Sequence, residues 1–292
     1  MKIPLKKFIY AVIFLTLIIC NSAFAVLLEV SVKELMTEAI MGNQLAVKTL
    51  MDEANNGNPF AQESMGSLYS MGLGVVKDDT QSIFWYHKAA ENGNATAERK
   101  LGTNYQFGLS VPKDTAQAIK WYQKAAEHGD VDTQYLLGGL YQNGIDVPKD
   151  NIQAANWYTK AAKQDYFLAQ NNLGFMYLQG NGVQKDDDMA LYWFRKSAEQ
   201  GYADAKINLG YMYFYGKGVP KSNVAAYGFY NWVDRFNINA KKNLDEIVKT
   251  MTDNEIEAGK EITKELLKDK MYIYKIDNSL KKGGFNLEVQ QH

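Results

Sequence analysis

The sequence predicts an all-α protein, a solenoid of stacked helix-turn-helix repeats, and three observations carry that prediction. An aromatic pair recurs at a fixed interval: Trp85-Tyr86, Trp121-Tyr122, Trp157-Tyr158 and Trp193-Phe194 are spaced by 36 residues, and Phe229-Tyr230 falls at the next step. A glycine keeps the same interval at Gly66, Gly102, Gly138, Gly174 and Gly210, each three residues before a tyrosine. Each unit also holds two apolar stripes of helical period. In the second unit these are Ala97, Leu101 and Tyr105, then Ala118, Trp121, Tyr122 and Ala125. Small Ala and Gly on one helix let its partner approach, and the aromatic pair fills the space left. A lone hairpin cannot cover that much apolar surface, so neighbouring units must stack on it.

In chain order the first element reads as an address. Lys2, Lys6 and Lys7 precede an apolar run from Phe8 to Cys20, and Ala23-Phe24-Ala25 supplies the small residues a signal peptidase reads. Residues 1–25 are therefore expected to be removed, with Val26 as the new start and the mature chain periplasmic or secreted. An uncleaved anchor is the alternative, but the run is shorter than the ~20 apolar residues a membrane-spanning helix needs, so no membrane insertion of the mature chain is expected. Lipidation at Cys20 is disfavoured by the bulky Ile18-Ile19 before it.

Residues 26–57 read as N-terminal capping helices, the segment from 43 echoing a second helix with Leu50 and Met51 in place of the aromatic pair. Five units follow at 58–93, 94–129, 130–165, 166–201 and 202–237. Gly72, Gly108, Gly144, Gly180 and Gly216 end the first helix of each in a left-handed conformation. Asp78, Asp114, Asp150 and Asp186 open the second, and Gln81, Gln117 and Gln153 three residues on predict capping boxes. Gly93, Gly129 and Gly201 close it, with Asp165 and Asn237 as substitutes that tolerate a left-handed backbone. Residues 238–269 read as C-terminal capping helices, opened in part by a Thr252-x-x-Glu255 capping box. Residues 270–292 show no clear periodicity and read as a loosely ordered tail.

Leu-Gly-x-x-Tyr on a first helix suggests tetratricopeptide repeats, but their 34-residue period is absent and Gln62, Glu98, Gln134, Gln170 and Lys206 stand where their tryptophan belongs. The 36-residue unit carries Leu-Gly-x-x-Tyr, Gly-x-Gly-Val, Asp, then Trp-Tyr-x-Lys-Ala-Ala-Glu-x-Gly. It resembles the Sel-one-like repeat family over residues 58–237. That resemblance implies a right-handed α-solenoid whose first helices line a concave surface. It also implies roles of exported bacterial proteins in the envelope or at the host interface.

Composition narrows the chemistry. Thirty-two Lys plus Arg against thirty-three Asp plus Glu leave a net charge of -1, without the basic excess that nucleic acid requires. One cysteine and three histidines, His87, His128 and His292, give no metal-ligand set, so neither metal nor cofactor is expected. His87 and His128 are expected on exposed turns, and the Asp186-Asp187-Asp188 run is expected to open a helix rather than hold a cation. Ser279-Leu280-Lys281-Lys282 matches the Ser-x-x-Lys of penicillin-recognising enzymes, but it lies in the tail without the companion motifs. Lys88, Lys124, Lys160 and Lys196 form a register-matched row with Glu91, Glu127 and Glu199 three residues on, which reads as a solvated face or a charged docking ridge.

The most informative positions lie on the first helices, where the copies disagree although the stacking demand is the same. Arg99 and Lys100 are charged, whereas Asn172, Phe175, Asn208 and Tyr211 are amide and aromatic. Asn can pair with a peptide backbone and aromatics can grip its side chains, so these six residues are the candidate groove ligands. The alternative is that they pack between helices or are merely solvated. The resulting expectation is an exported, non-catalytic scaffold that binds a protein or peptide through its concave groove. The competing readings are a β-lactam or cell-wall hydrolase and a structural spacer in the envelope.

Overall fold

The computed structural model describes residues 29, 31–233 and 237–281. The signal segment 1–25, Cys20, Lys282 and His292 lie outside them, and so does the Ser279 side chain. Every regular element among the described residues is an α-helix. Two helices precede the repeats, α1 (residues 31–40) and α2 (Gln44–Asn55). The repeats themselves comprise α3 (Pro59–Met71), α4 (Asp79–Glu91), α5 (Ala95–Phe107), α6 (Thr115–Glu127), α7 (Val131–Asn143), α8 (Asn151–Lys163), α9 (Phe167–Gln179), α10 (Asp187–Glu199), α11 (Ala203–Tyr215) and α12 (Asn223–Asn231). The chain then continues through α13 (Ile238–Val248), α14 (Asp253–Lys268) and α15 (Tyr272–Lys281). First helices start at 59, 95, 131, 167 and 203, and second helices at 79, 115, 151, 187 and 223, so the interval of the aromatic pairs is also that of the backbone. The chain forms two compact units that meet inside α7, one ending at Thr133 and the other beginning at Gln134. Within the first, α2 to α5 each pack on the next helix in the chain; within the second, α8 to α12 do the same, as a solenoid requires.

One contact sets the hairpin geometry. A methyl placed on Gly102 would lie 2.5 Å from Cδ1 of Tyr122, and one on Gly138 or Gly174 would lie 2.5 Å or 2.7 Å from the ring of Tyr158 or Phe194. Gly66 with Tyr86 and Gly210 with Tyr230 repeat the arrangement. The glycine is therefore required for close approach rather than for its backbone angles, and the Cδ1–Cε1 side of the second aromatic of each pair lies against the bare helix.

The turns differ from expectation in an instructive way. Asp78, Asp114, Asp150 and Asp186 accept the N–H of the residue three positions on, as caps do, and Ser222 does the same in the fifth repeat. The glutamines, however, do not complete capping boxes. The N–H groups of Asp78, Asp114, Asp150, Asp186 and Ser222 donate instead to the carbonyls of Tyr69, Tyr105, Tyr141, Tyr177 and Tyr213 at 2.9 to 3.0 Å. With that donor already satisfied, the third helical position carries no capping demand, which is why Met189 and Ala225 can stand there. The reciprocal box does form at Thr252 and Glu255.

Three other expectations change. Asp165 is left-handed at φ 60°, but Asn237 is not: at φ -72° it caps α13 by accepting the N–H of Ala240. Helix α12 ends at Asn231, short of the expected 237, and packs on α14 as well as on α13, with Gly228 against Ile262 and Gly259 against Tyr227. The region expected as a loose tail begins with α15, whose Ile273 and Ile276 are fully buried in the core around Phe229 and Leu266. Two apolar residues one turn apart are too short a stripe to read as periodic.

Candidate binding site

Four of the six candidate ligands fall in the second unit, on α9 and α11. The amides there already hold internal bonds: Asn208 Nδ2 donates to Oδ1 of the buried Asn171 at 2.9 Å, tying α11 to α9, and Asn172 hydrogen-bonds the Tyr158 hydroxyl. Burial raises that phenol to about 12, so it remains a neutral donor and acceptor. One side-chain bond leaves each amide with spare capacity and a fixed orientation. The aromatics are more available. Phe175 meets Phe194 edge-on with centroids 5.5 Å apart yet stays 37% exposed. Tyr211 packs on Tyr215 at 4.6 Å, and the two are 40% and 56% exposed.

Arg99 and Lys100 belong to the first unit. Arg99 is committed there, its Nε lying 3.1 Å from Oδ2 of Asp130, whose other oxygen accepts the N–H and hydroxyl of Thr133 at the start of α7. Lys100 is free of such a partner. It lines a cavity of ≈ 380 Å³ with Ser70, Lys77, Asp79, Tyr86, Thr103, Asn104, Leu109 and Ser110.

A set of bonds between residues thirty apart escaped the sequence reading. Asn92 donates to Gln62 at 2.9 Å, Gln164 to Gln134 at 2.8 Å and Gln200 to Gln170 at 2.9 Å, each joining the end of a second helix to the first helix of its own repeat. In the second repeat the rung is ionisable: His128 Nδ1 lies 2.8 Å from Oε2 of Glu98. Glu98 is 1% exposed, and burial holds its carboxyl above the usual range despite the histidine. The signal was the polar residue in the tryptophan position of the tetratricopeptide pattern, and the missing information was the partner. His128 is exposed at the turn that ends α6, as expected, but His87 is half-buried against Trp121, 5.5 Å between ring centres, and burial lowers its pKa.

The lysine row divides. Lys88 and Lys196 face Glu91 and Glu199, both at 3.9 Å, whereas Lys124 and Lys160 lie over the Trp121 and Trp157 rings at 4.4 and 3.9 Å. All four thus interact along their own helices. Asp186 caps α10, with Asp187 and Asp188 in its first turn. No three His, Cys, Asp or Glu side chains among the described residues gather as a metal would need, and no described helix is long and apolar enough to cross a membrane. A second Ser-x-x-Lys, Ser110 to Lys113, lies in the turn of the second repeat.

The Sel1 repeat model matches residues 59–94, 95–130, 131–166, 168–202 and 203–231. A solved Sel1 repeat protein from Oxalobacter formigenes is 34% identical over 73% of this chain and 84% of its own, with a TM-score of 0.63. A protective antigen of uropathogenic Escherichia coli with an SLR fold, c5321, is 28% identical over 86% of this chain and 62% of its own, with a TM-score of 0.48. No curated protein matches the chain.

Proposed function

This chain belongs to the Sel1 repeat family, whose members commonly serve as protein-interaction scaffolds, and on that premise we propose that it is an exported, non-catalytic scaffold binding a protein or peptide through its first helices. The observation that carries the reading is the aromatic surface on α9 and α11. Phe175, Tyr211 and Tyr215 remain open to solvent, while on the second helices Trp193, Phe194, Phe229 and Tyr230 are buried and only Tyr192 among the aromatics of α10 is exposed. Burial of the second-helix rings stabilises the fold, whereas exposed rings beside oriented amides are the usual makings of a hot spot. Export is supported by the basic start, the short apolar run and Ala23-Phe24-Ala25.

The test is a photo-crosslinker placed at Tyr215 in cells that express the full chain. A partner should be trapped, and Phe175→Ala or Tyr211→Ala should weaken its purified complex by ~1 to 3 kcal/mol while the melting temperature holds. Unchanged affinity in both variants would remove this face from the reading. Fractionation should find the chain outside the cytoplasm with Val26 at its start, and an intact cytoplasmic amino terminus would overturn export.

A further inference from the structure

The first unit holds a cavity whose walls are built from departures from the repeat. At the position of Asn104 the other copies carry Leu68, Leu140, Met176 and Met212, all buried and apolar, but here an amide is buried, its Nδ2 held by the Lys100 carbonyl at 2.8 Å. Lys100 stands where repeat three has Leu136 and repeats four and five have Asn172 and Asn208. Ser70 replaces the longer Gln106, Gln142, Leu178 and Phe214, and Ser110 stands where three copies have a left-handed glycine. Stacking cannot require these residues, because the other copies stack without them. All four line the same ≈ 380 Å³ space, with Thr103, Tyr86, Leu109, Lys77 and Asp79 completing it.

The charges are unbalanced. Lys77 faces Asp79 at 3.6 Å, so one ammonium is offset by one carboxylate, and Lys100 has no ion partner among the described residues. Two lining hydroxyls are already committed, Thr103 Oγ1 donating to the Arg99 carbonyl at 3.0 Å and the Tyr86 hydroxyl bonding Ser67 at 3.1 Å, which leaves those of Ser70 and Ser110 in the same lining as this surplus charge. Burial raises the Tyr86 phenol, so it stays neutral, and its proton goes to Ser67, whose own hydroxyl donates to Glu63.

We propose that this cavity is a carboxylate site, taking the side chain of an acidic residue or the carboxyl terminus of a peptide. One surplus positive charge in a lining that also holds the Ser70 and Ser110 hydroxyls matches a monoanion, whereas a phosphate dianion would leave a second charge facing Asp79. The volume lies near the small end of ligand sites, ~300 to 1,000 Å³, so it admits one residue and not an extended strand. The proposal uses the partner-binding reading only as the source of the carboxylate. It rests on the first unit alone, so the two can fail separately.

Four probes titrated into the isotope-labelled chain decide it, followed by backbone amide shifts: acetyl-Ala-Glu-Ala-amide, acetyl-Ala-Ala-Ala with a free carboxyl, acetyl-Ala-Gln-Ala-amide and inorganic phosphate. At least one of the two carboxylate peptides should produce saturable shifts at Ser70, Thr103, Asn104 and Ser110, and the stronger of them names the source. The glutamine peptide should produce none. Lys100→Met, tolerable because Leu136 occupies the equivalent position, should weaken binding about fivefold at an unchanged melting temperature, while Lys113→Met, outside the cavity, should not. Equal shifts with the glutamine peptide, no saturation with either carboxylate, tighter binding of phosphate, or indifference to Lys100→Met would each overturn the proposal.

Discussion

The second and fifth repeats share a hairpin backbone and differ in almost everything else that holds it. In the second, polar stitches dominate: Tyr122 bonds Gln106 at 2.8 Å, Glu98 meets His128, Arg99 meets Asp130, and Lys124 lies over Trp121. In the fifth, polar bonds such as Asn208 to Asn171 remain, but the hairpin itself is held by aromatic and apolar contacts: Tyr213 stacks on Phe229 at 5.1 Å, Phe229 meets Trp232, and α12 beds on Ile262 of α14. What both retain is the glycine under the second aromatic, Gly102 beneath Tyr122 and Gly210 beneath Tyr230. The comparison teaches that the close helix approach defines the repeat, and that the polar stitches are free to be lost or reassigned.

If that is right, the largest effects come from emptying the apolar side. Phe229→Ala, at a fully buried ring, should cost ~3 to 5 kcal/mol in urea unfolding, and Trp157→Ala in the middle of the array a similar amount. A Phe229→Ala midpoint equal to wild type would break the account of the fifth repeat. Next come Gly102→Ala and Gly210→Ala, which push a methyl into the Tyr122 and Tyr230 rings and should each cost ~1 to 3 kcal/mol. The sharp point is their similarity: if only one repeat were sensitive, the glycine contact would not be the shared element.

Smaller is the difference between hydroxyls. Tyr122→Phe removes a bond to Gln106 and should cost ~1 kcal/mol, whereas Tyr230→Phe should stay within ~0.5 kcal/mol. Equal losses would show that the polar stitch is not what distinguishes the second repeat. Smallest is a pH effect at Glu98. Its folded-state pKa is raised by burial, so the folded protein binds more protons, and the stability it contributes is full below the ordinary glutamate value of ~4.3 and is lost as pH rises through the folded value. His128, Lys124 and Glu127 face the same carboxyl. Glu98→Gln, which restores the residue of positions 62, 134 and 170, should therefore flatten the fall in melting temperature as pH rises above the ordinary glutamate value. An unchanged slope would assign the titration elsewhere.

How far the sequence could be read follows from what repeats. Gly102 and Tyr122 were legible because the same steric contact recurs in every copy, and five copies make a spacing stand out from chance. Asn172 and Asn208 were legible as variable polar positions, but their bonds to Tyr158 and Asn171 were not. The cavity around Lys100 was invisible because its walls come from α3, α4, α5 and two turns, each departure looking like drift on its own.

The sequence by itself determined the helical hairpin, its period, its caps and the residues of its core, because those follow from local backbone chemistry and a repeated packing demand. Only the tertiary structure decided which polar side chains meet across thirty residues, that α12 packs on α14 as well as on α13, and that residues 272–281 form a helix. Those outcomes depend on distances between helices, which a spacing along the chain does not contain.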